Sequence, residues 1–198
     1  MSVTVGGTYI EARQLLDSDG RDIFQWEFLE KVSIDSATSQ VAMSMADYSS
    51  TYTDIKLEYY GIEVTTDGAE VVINFSTDSQ STWNTTQSAY HERSTNFVSN
   101  RTTFTDVYQS AQDGLYGGFN LGNAANEGIT GTTTIQNAFD SEGLVSVGTF
   151  AHVRQQFGAP GVALFFGLMY PATTITDFGL KPRAGNVDAG EILIYGRR

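Results

Sequence analysis

Short segments with apolar residues at every second position dominate this sequence, and they restrict the chain to folds made of β-strands. Val41, Met43 and Met45 alternate with smaller residues in "QVAMSM", and Val71 and Ile73 share one face of "EVVINF". Because side chains alternate between the faces of a strand, this period places one face of each segment in a core. No segment keeps a helical period over three turns. The sequence therefore predicts an all-β fold.

Turns separate these segments at short intervals, about every eight to twelve residues, as in β-sandwiches. Gly is frequent, with 20 residues, and Pro is scarce, with 3. Further strands are predicted at "GLVSVGTF", "GVALFFGLMY", "TITDFGL" and "EILIYG". Together these features predict an antiparallel β-sandwich of the jelly-roll type.

The chain of 198 residues has the length of one domain. We expect the sandwich to occupy residues 26–198 and residues 1–25 to form an N-terminal lead-in that docks onto a partner. Periodicity fades over 99–140, which predicts a long loop-rich insertion. Within it, the Gly-, Asn- and Thr-rich stretch 114–134 is interpreted either as an arm that becomes ordered in an assembly or as a surface loop.

Charge excludes several classes of function. The net charge is -12 and the isoelectric point is near 4.4, so the surface repels phosphate backbones and nucleic-acid binding is not expected. Arg197 and Arg198 form too small a basic cluster to change this. No cysteine is present, so disulfides and thiolate metal sites are excluded. The start, "MSVTVGGTYI", lacks signal-peptide features, and "GVALFFGLMY" is about half of a membrane span, so no membrane insertion is expected.

Two turns stand out. Asp67 and Gly68 in "TTDGAE" predict a β-hairpin. The stretch "FSTDSQSTW" approaches the S-x-D-x-G-x-x-W pattern of the Asp box, with Ser76, Asp78 and Trp83 in place and Gln80 in the glycine position. In one interpretation Trp83 presents its ring to a sugar. In the favoured one, Ser76 and Asp78 bond the backbone of a hairpin turn and Trp83 packs on the hairpin.

The stretch "DSDGRD" has carboxylates at Asp17, Asp19 and Asp22 with a spacing that a calcium loop could use. An EF-hand loop needs Glu at position twelve, and that position is Phe28, so a solvated turn is the favoured interpretation.

Catalytic patterns are weak. His91 and His152 each share a strand face with an arginine two residues on, Arg93 and Arg154, which makes a poor environment for a general base. No nucleophile elbow or zinc spacing is present. A carboxylate pair for glycoside hydrolysis stays open, because distances are not visible in a sequence. The chain is not expected to be an enzyme, and no cofactor or metal is implied.

Aromatic residues supply candidate contact positions. Tyr59 and Tyr60 must lie on opposite faces of a strand, so one of them is expected to face outward. Exposed Tyr and Trp are enriched in interfaces and sugar platforms. We therefore select Trp83, Tyr60 and Tyr90 as candidate contacts for a glycan or a protein partner.

Three segments, in order, resemble small β-rich virion proteins of tailed bacteriophages. "WEFLEKVSI" is similar to the opening strand of that group. "YTDIKLEYYGIEVTTDGAEVVINFSTDSQSTW" is similar to its central unit, with Gln80 departing from the usual Gly, and "AGNVDAGEILIYG" resembles its closing segment. The resemblance spans roughly the first 90 and the last 20 residues.

This resemblance implies a structural virion protein of the tail-fibre, baseplate or peripheral attachment type, made in the bacterial host and located on the particle. It implies a homo-oligomer, with a trimer as the expected state, that contacts other virion proteins and, in a tail role, a host-surface glycan. A capsid decoration protein is the alternative within this class. A carbohydrate-binding module or glycan-active enzyme is the alternative from another class.

Overall fold

A computed structural model of the chain describes residues 2–5, 8–11, 25–85, 89–98, 105–110, 113–125, 127–141, 144–154, 160–171 and 173–198, with the backbone alone described at 2–5, 8–11, 91–98 and 105–110. The described residues form fourteen strands. These are β1 (Ser2–Val5), β2 (Thr8–Glu11), β3 (Glu27–Ile34), β4 (Val41–Ser44), β5 (Asp54–Val64), β6 (Ala69–Ser76), β7 (Tyr90–Val98), β8 (Thr105–Ser110), β9 (Leu115–Leu121), β10 (Ile129–Gln136), β11 (Val145–Arg154), β12 (Pro160–Met169), β13 (Asp177–Pro182) and β14 (Val187–Arg197).

The strands form two antiparallel sheets that pack face to face. The eight-stranded sheet has the order β3-β14-β5-β10-β11-β12-β7-β8, and the four-stranded sheet has the order β4-β13-β6-β9. A separate hairpin, β1-β2, lies in the N-terminal segment. The predicted all-β sandwich is confirmed. No helix among the described residues has the length and apolar character needed to cross a membrane.

Period-two alternation places the core as predicted. Val41, Met43, Ile73 and Phe75 of the four-stranded sheet and Leu57 of the eight-stranded sheet are all at most 5% exposed and belong to one cluster. On β4, where Ala42 and Ser44 are exposed, this one-sided burial fixes the register, because a slip by one residue would turn the apolar face to water.

The Asp67-Gly68 turn exists, but it does not close a hairpin. Gly68 has a φ of +74°, as the turn requires. However, β5 pairs with β14 and β10, whereas β6 pairs with β13 and β9. The turn is therefore a corner at which the chain passes from one sheet to the other. Both flanking strands bury their apolar faces in the same core, which explains why the alternation alone looked like a hairpin.

The turn after β6 corrects a second predicted hairpin. The next strand along the chain, β7, does not pair with β6 but with β12 and β8 in the eight-stranded sheet. Local sequence reports the strands and the turn, but the pairing partners are set by contacts far along the chain.

The region expected to be a loop-rich insertion, 99–140, instead contains β8, β9 and β10. β10 lies in the middle of the eight-stranded sheet, between β5 and β11. Its segment "ITGTTTIQ" buries Ile129 and Ile135 and directs Thr132 and Thr134 outward. The stretch 114–134 is therefore largely part of the sandwich, and β-branched Thr accounts for it, since Thr favours strands without adding apolar periodicity.

Two further predictions fall outside the described residues. Asp17, Asp19 and Asp22 belong to the segment 12–24. The lead-in 1–25 is described only in its β1-β2 hairpin and at Gln25.

Candidate functional site

Side-chain hydrogen bonds build the turn that follows β6. The Ser76 hydroxyl donates to Asp78 Oδ1 over 2.7 Å and accepts the Gln80 N–H over 3.1 Å. The Thr82 hydroxyl donates to Asp78 Oδ2 over 2.5 Å, and the Thr82 N–H donates to Asp78 Oδ1 over 2.9 Å. These bonds from Thr82, and then the bond from Ser76, hold the pKa of the Asp78 carboxyl below its usual value. The predicted capping role of Ser76 and Asp78 is confirmed.

Gln80 takes the backbone conformation of the glycine it replaces. Its φ is +68°, and that of Ser79 is +55°, so both residues are left-handed. The Gln80 side chain donates from Nε2 to Asp177 Oδ1 over 2.8 Å, while the Thr176 hydroxyl donates to Asp177 Oδ2 over 2.7 Å. Asp177 is 1% exposed, so its carboxylate depends on these donors. A glycine at position 80 has no side chain and so could not donate a hydrogen bond to this carboxylate.

Trp83 lies on the outer face of the four-stranded sheet, over Gly179 of β13. A Cβ at Gly179 would be 2.7 Å from Trp83 Cζ3, so only glycine lets the indole approach the strand this closely. Gln40 Nε2 donates to Asn74 Oδ1 over 3.0 Å beside the same glycine. Trp83 is half-buried and covers these amides. It therefore packs on a strand of the sheet, whereas the sequence interpretation had it pack on its own hairpin.

A shallow depression of about 260 Å³ opens beside the Trp83 ring. Hydroxyl and amide side chains line it, from Thr77, Thr82, Asn84 and Thr85. Its volume is below the roughly 300–1,000 Å³ of typical ligand pockets. Its lining is almost wholly polar, so it offers hydrogen bonds to a hydroxyl-rich ligand but little ring surface of Trp83 for stacking.

The two candidate tyrosines have different surroundings. Tyr60 is 47% exposed on β5, and its hydroxyl donates to Glu58 Oε2 over 3.0 Å. Tyr90 is 1% exposed, its ring lies 5.4 Å from that of Phe75, and its hydroxyl donates to the Asn84 carbonyl over 2.8 Å. Burial raises the pKa of Tyr90. Tyr90 is thus a core residue that anchors the Trp83 turn, and the expectation that it contacts an outside partner is corrected.

A second cleft, of about 440 Å³, lies where β5, β10, β11 and β12 meet at one end of the sheet. Glu63, Glu127, His152 and Arg154 line it. Glu127 is 8% exposed and its carboxylate accepts the Ala124 N–H over 3.1 Å. His152 and Arg154 are both exposed on β11, as their shared face predicted. Among the described side chains, no group of three His, Asp or Glu residues is placed to hold a metal ion.

Exposed phenylalanines form a surface that the choice of candidate residues missed. Phe166 of β12 is 60% exposed and Phe150 of β11 is 46% exposed. They point outward with Val162, Leu164 and Leu168, and we call these five outward side chains the apolar face. The signal was present in "GVALFFGLM", which is apolar at odd and even positions alike and so has no polar side for solvent.

Comparisons of this chain with protein-family models, with curated proteins and with solved structures found no significant match. The structure therefore assigns the chain to the all-β sandwiches. Its distinguishing features are the hydrogen-bonded Trp83 turn and the exposed apolar face. The resemblance to phage virion proteins stays a prediction from the three sequence segments.

Proposed function

We propose that this chain is a non-enzymatic structural component of a tailed-phage virion, of the tail-fibre, baseplate or peripheral attachment type. One observation carries the proposal. The segments that resemble such proteins include β3, β5 and β14, which are far apart in sequence, yet β14 lies between the other two in one sheet. Ile192 is paired with Val32 on one side and with Tyr59 on the other. If the resemblance reflects a shared fold, the segments that carry it are expected to lie next to one another in the structure, as these three strands do.

The strand order also supports the predicted jelly roll. The strands β3-β14-β5-β10 are neighbours in one sheet and β4-β13-β6-β9 form the other, and from β3 to β6 the chain changes sheet at every strand. Two sheets built from interleaved Greek keys are typical of jelly rolls, which occur in viral capsid proteins and lectins. The strands β11, β12, β7 and β8 extend one sheet beyond this eight-strand unit.

In this role the protein acts by binding rather than by chemistry. Its partners are other copies of the chain and other virion proteins, it needs no cofactor, and its location is the particle. A capsid decoration protein would use the same surfaces against a lattice, and it remains the alternative within the class.

The test is to purify tailed particles encoded by the same genome on a density gradient and quantify the protein by mass spectrometry. We expect a fixed copy number per particle, and antibody labelling that places it on the tail rather than the head. Labelling over the head would favour the decoration role. Loss of the protein from the particle fraction would overturn the proposal.

Carbohydrate binding is the second candidate, and the hydroxyl-lined depression beside Trp83 favours it. Binding of the isolated protein to host-surface polysaccharide would be measured for the wild type and for Trp83→Ala. Because Trp83 also packs over Gly179, this change is expected to lower the free energy of unfolding by about 2 kcal/mol, less than for a fully buried aromatic residue.

Thr85→Ala is the matched variant for this test, since Thr85 is exposed and lines the same depression. A sugar site predicts weaker binding for both variants, with stability changed only in Trp83→Ala. Unchanged binding in both would remove the carbohydrate candidate at this position.

A further inference from the structure

We propose that the apolar face is the surface through which copies of this chain pack against one another. This inference rests on the proposed function, because it names the contact by which that structural protein assembles. It concerns the outward side of β11 and β12 together with the flanking strand β10.

β12 has the residue pattern of a strand that is covered on both sides. Its inward residues Ala163, Phe165 and Met169 are at most 2% exposed. Its outward residues from Val162 to Leu168 are apolar as well, yet Phe166 is 60% exposed. Apolar residues on both faces are typical of strands buried between two layers. The described part of the chain supplies a layer on one side only.

The exposed residues form a continuous surface. Phe150 lies directly opposite Leu164 in the register of β11 and β12. Phe166 lies opposite Gly148, and its ring is 3.7 Å from the position that a Cβ on Gly148 would take. An aromatic side chain buries roughly 150–250 Å² when covered, so the two rings alone expose about 200 Å². With the neighbouring aliphatic residues, the surface reaches the size at which apolar patches are usually functional.

The distribution of charge indicates that a second copy of the chain covers the apolar face. The chain carries -12, so two copies repel each other across most surfaces. Among the described side chains, those directed outward from Thr130 to Thr134, Ser146 to Phe150 and Val162 to Leu168 bear no charge. On the flanking strand β5, Lys56 and Glu58 also point outward, and they pair with each other over 2.8 Å. A basic partner would therefore find only this paired acid among the described side chains, whereas a second copy offers an equally neutral and apolar surface.

The face also has the dimensions that an interface needs. Four neighbouring strands with described side chains, β5, β10, β11 and β12, carry it and one flank. At about 4.8 Å between strands and about 3.3 Å per residue, eight residues on each give a plane of roughly 19 by 26 Å. That is about 500 Å² per partner, or roughly 1,000 Å² in total, which is the minimum expected of a specific interface.

The experiment compares self-association of the full chain with that of Phe166→Ser by sedimentation equilibrium. Phe28→Ser is the matched control, because Phe28 is 58% exposed on β3, near the opposite edge of the same sheet. We expect Phe166→Ser to raise the dissociation constant at least about ten-fold, as for a central aromatic contact, and the control to change it less than about two-fold. Phe150→Thr is a second, independent variant on β11, and near-ultraviolet circular dichroism checks the fold of each.

Three outcomes are distinguishable. A wild type that stays monomeric at all concentrations would overturn the inference and leave the virion assignment to the particle experiment. An oligomer that is insensitive to both Phe166→Ser and Phe150→Thr would also overturn it, since assembly would then use another surface. Dissociation by both variants, in a protein that is missing from particles, would support the interface and contradict the virion function.

Discussion

Gln80 combines a backbone conformation that favours glycine with a side chain that glycine lacks. Its left-handed φ of +68° is unfavourable for a residue with a Cβ. Its amide donates to the buried carboxylate of Asp177 over 2.8 Å. A hydrogen bond to a charged group contributes about 1.5–3 kcal/mol, which exceeds the roughly 1 kcal/mol of a left-handed residue. The departure from the Asp-box pattern is therefore explained by the partner on β13.

We predict that Gln80→Gly lowers the free energy of unfolding by about 1 kcal/mol, although it restores the usual turn residue. Ser79→Gly is the control, since Ser79 is also left-handed and is exposed. It should raise stability by about 0.5 kcal/mol. Urea unfolding of both variants measures the difference. A gain in stability for Gln80→Gly would show that the bond to Asp177 contributes little.

The turn should also respond to acid. Because the pKa of Asp78 is lower in the folded chain than in the unfolded one, its hydrogen bonds stabilise the turn fully above the unfolded pKa. That contribution is lost as the pH falls toward the folded pKa.

A carboxyl-carbon NMR titration should therefore give Asp78 a midpoint below that of an ordinary aspartate. In Thr82→Val, which removes the hydroxyl donor and keeps the N–H, the midpoint should rise. An identical midpoint in both proteins would contradict the assigned cause.

At the scale of elements, buried hydroxyls join three strands. The Tyr59 hydroxyl of β5 donates to Thr133 Oγ1 of β10 over 2.9 Å, and Thr133 lies 2.7 Å from Thr149 Oγ1 of β11. Tyr59 is 1% exposed, and burial raises its pKa. Thr133 thus supplies hydrogen bonds to the hydroxyls of Tyr59 and Thr149, which are buried away from water.

We predict that Thr133→Val lowers the free energy of unfolding by about 2 kcal/mol, since it leaves two buried hydroxyls without their partner. Adding Tyr59→Phe removes one of these hydroxyls. The double variant should therefore be more stable than Thr133→Val alone, by about 1 kcal/mol. Thermal unfolding of the wild type, both single variants and the double variant completes the cycle. Simple addition of the two losses would show that the hydroxyls are not coupled.

Two glycines of neighbouring strands provide a test of strand contact. A Cβ on Gly131 of β10 would lie 2.6 Å from the Ala151 Cα, a backbone atom that cannot move aside easily. A Cβ on Gly148 of β11 would meet only the Phe166 ring, at 3.7 Å. Gly131→Ala is expected to cost about 2–3 kcal/mol by overpacking, whereas Gly148→Ala should change stability by less than about 0.5 kcal/mol. Equal effects in denaturant unfolding would contradict the β10-β11 packing.

The sequence predicted which segments form strands more accurately than it predicted which strands pair with one another. The alternation in "QVAMSM" and "EVVINF" located β4 and β6, and their inward residues are buried as expected. The sequence predicts hairpins at the Asp67-Gly68 corner and at the Trp83 turn, and both predictions are wrong, because a turn fixes only a change of direction and not the sheet that the next strand joins. β10 was missed because its outward face is made of Thr and its periodicity is therefore faint.

At the scale of the whole molecule, sequence located polar turns more reliably than interaction surfaces. The bonds of Ser76 and Asp78 are local, so their pattern is readable along the chain. The burial of Tyr90 depends on Phe75 and Asn84, and the carboxylate that Gln80 bonds lies 97 positions away, at Asp177. The exposure of Phe166 appears only once β12 has a core on one side and nothing in the described chain covering the other.

The proposed assembly would complete the buried surface of the sandwich with copies of the same chain. Multi-angle light scattering of the purified protein tests this most directly. We predict a single oligomeric species with at least twice the mass of the 21.6-kDa chain and no monomer at micromolar concentration. A monomer that persists at the highest concentrations would contradict the account.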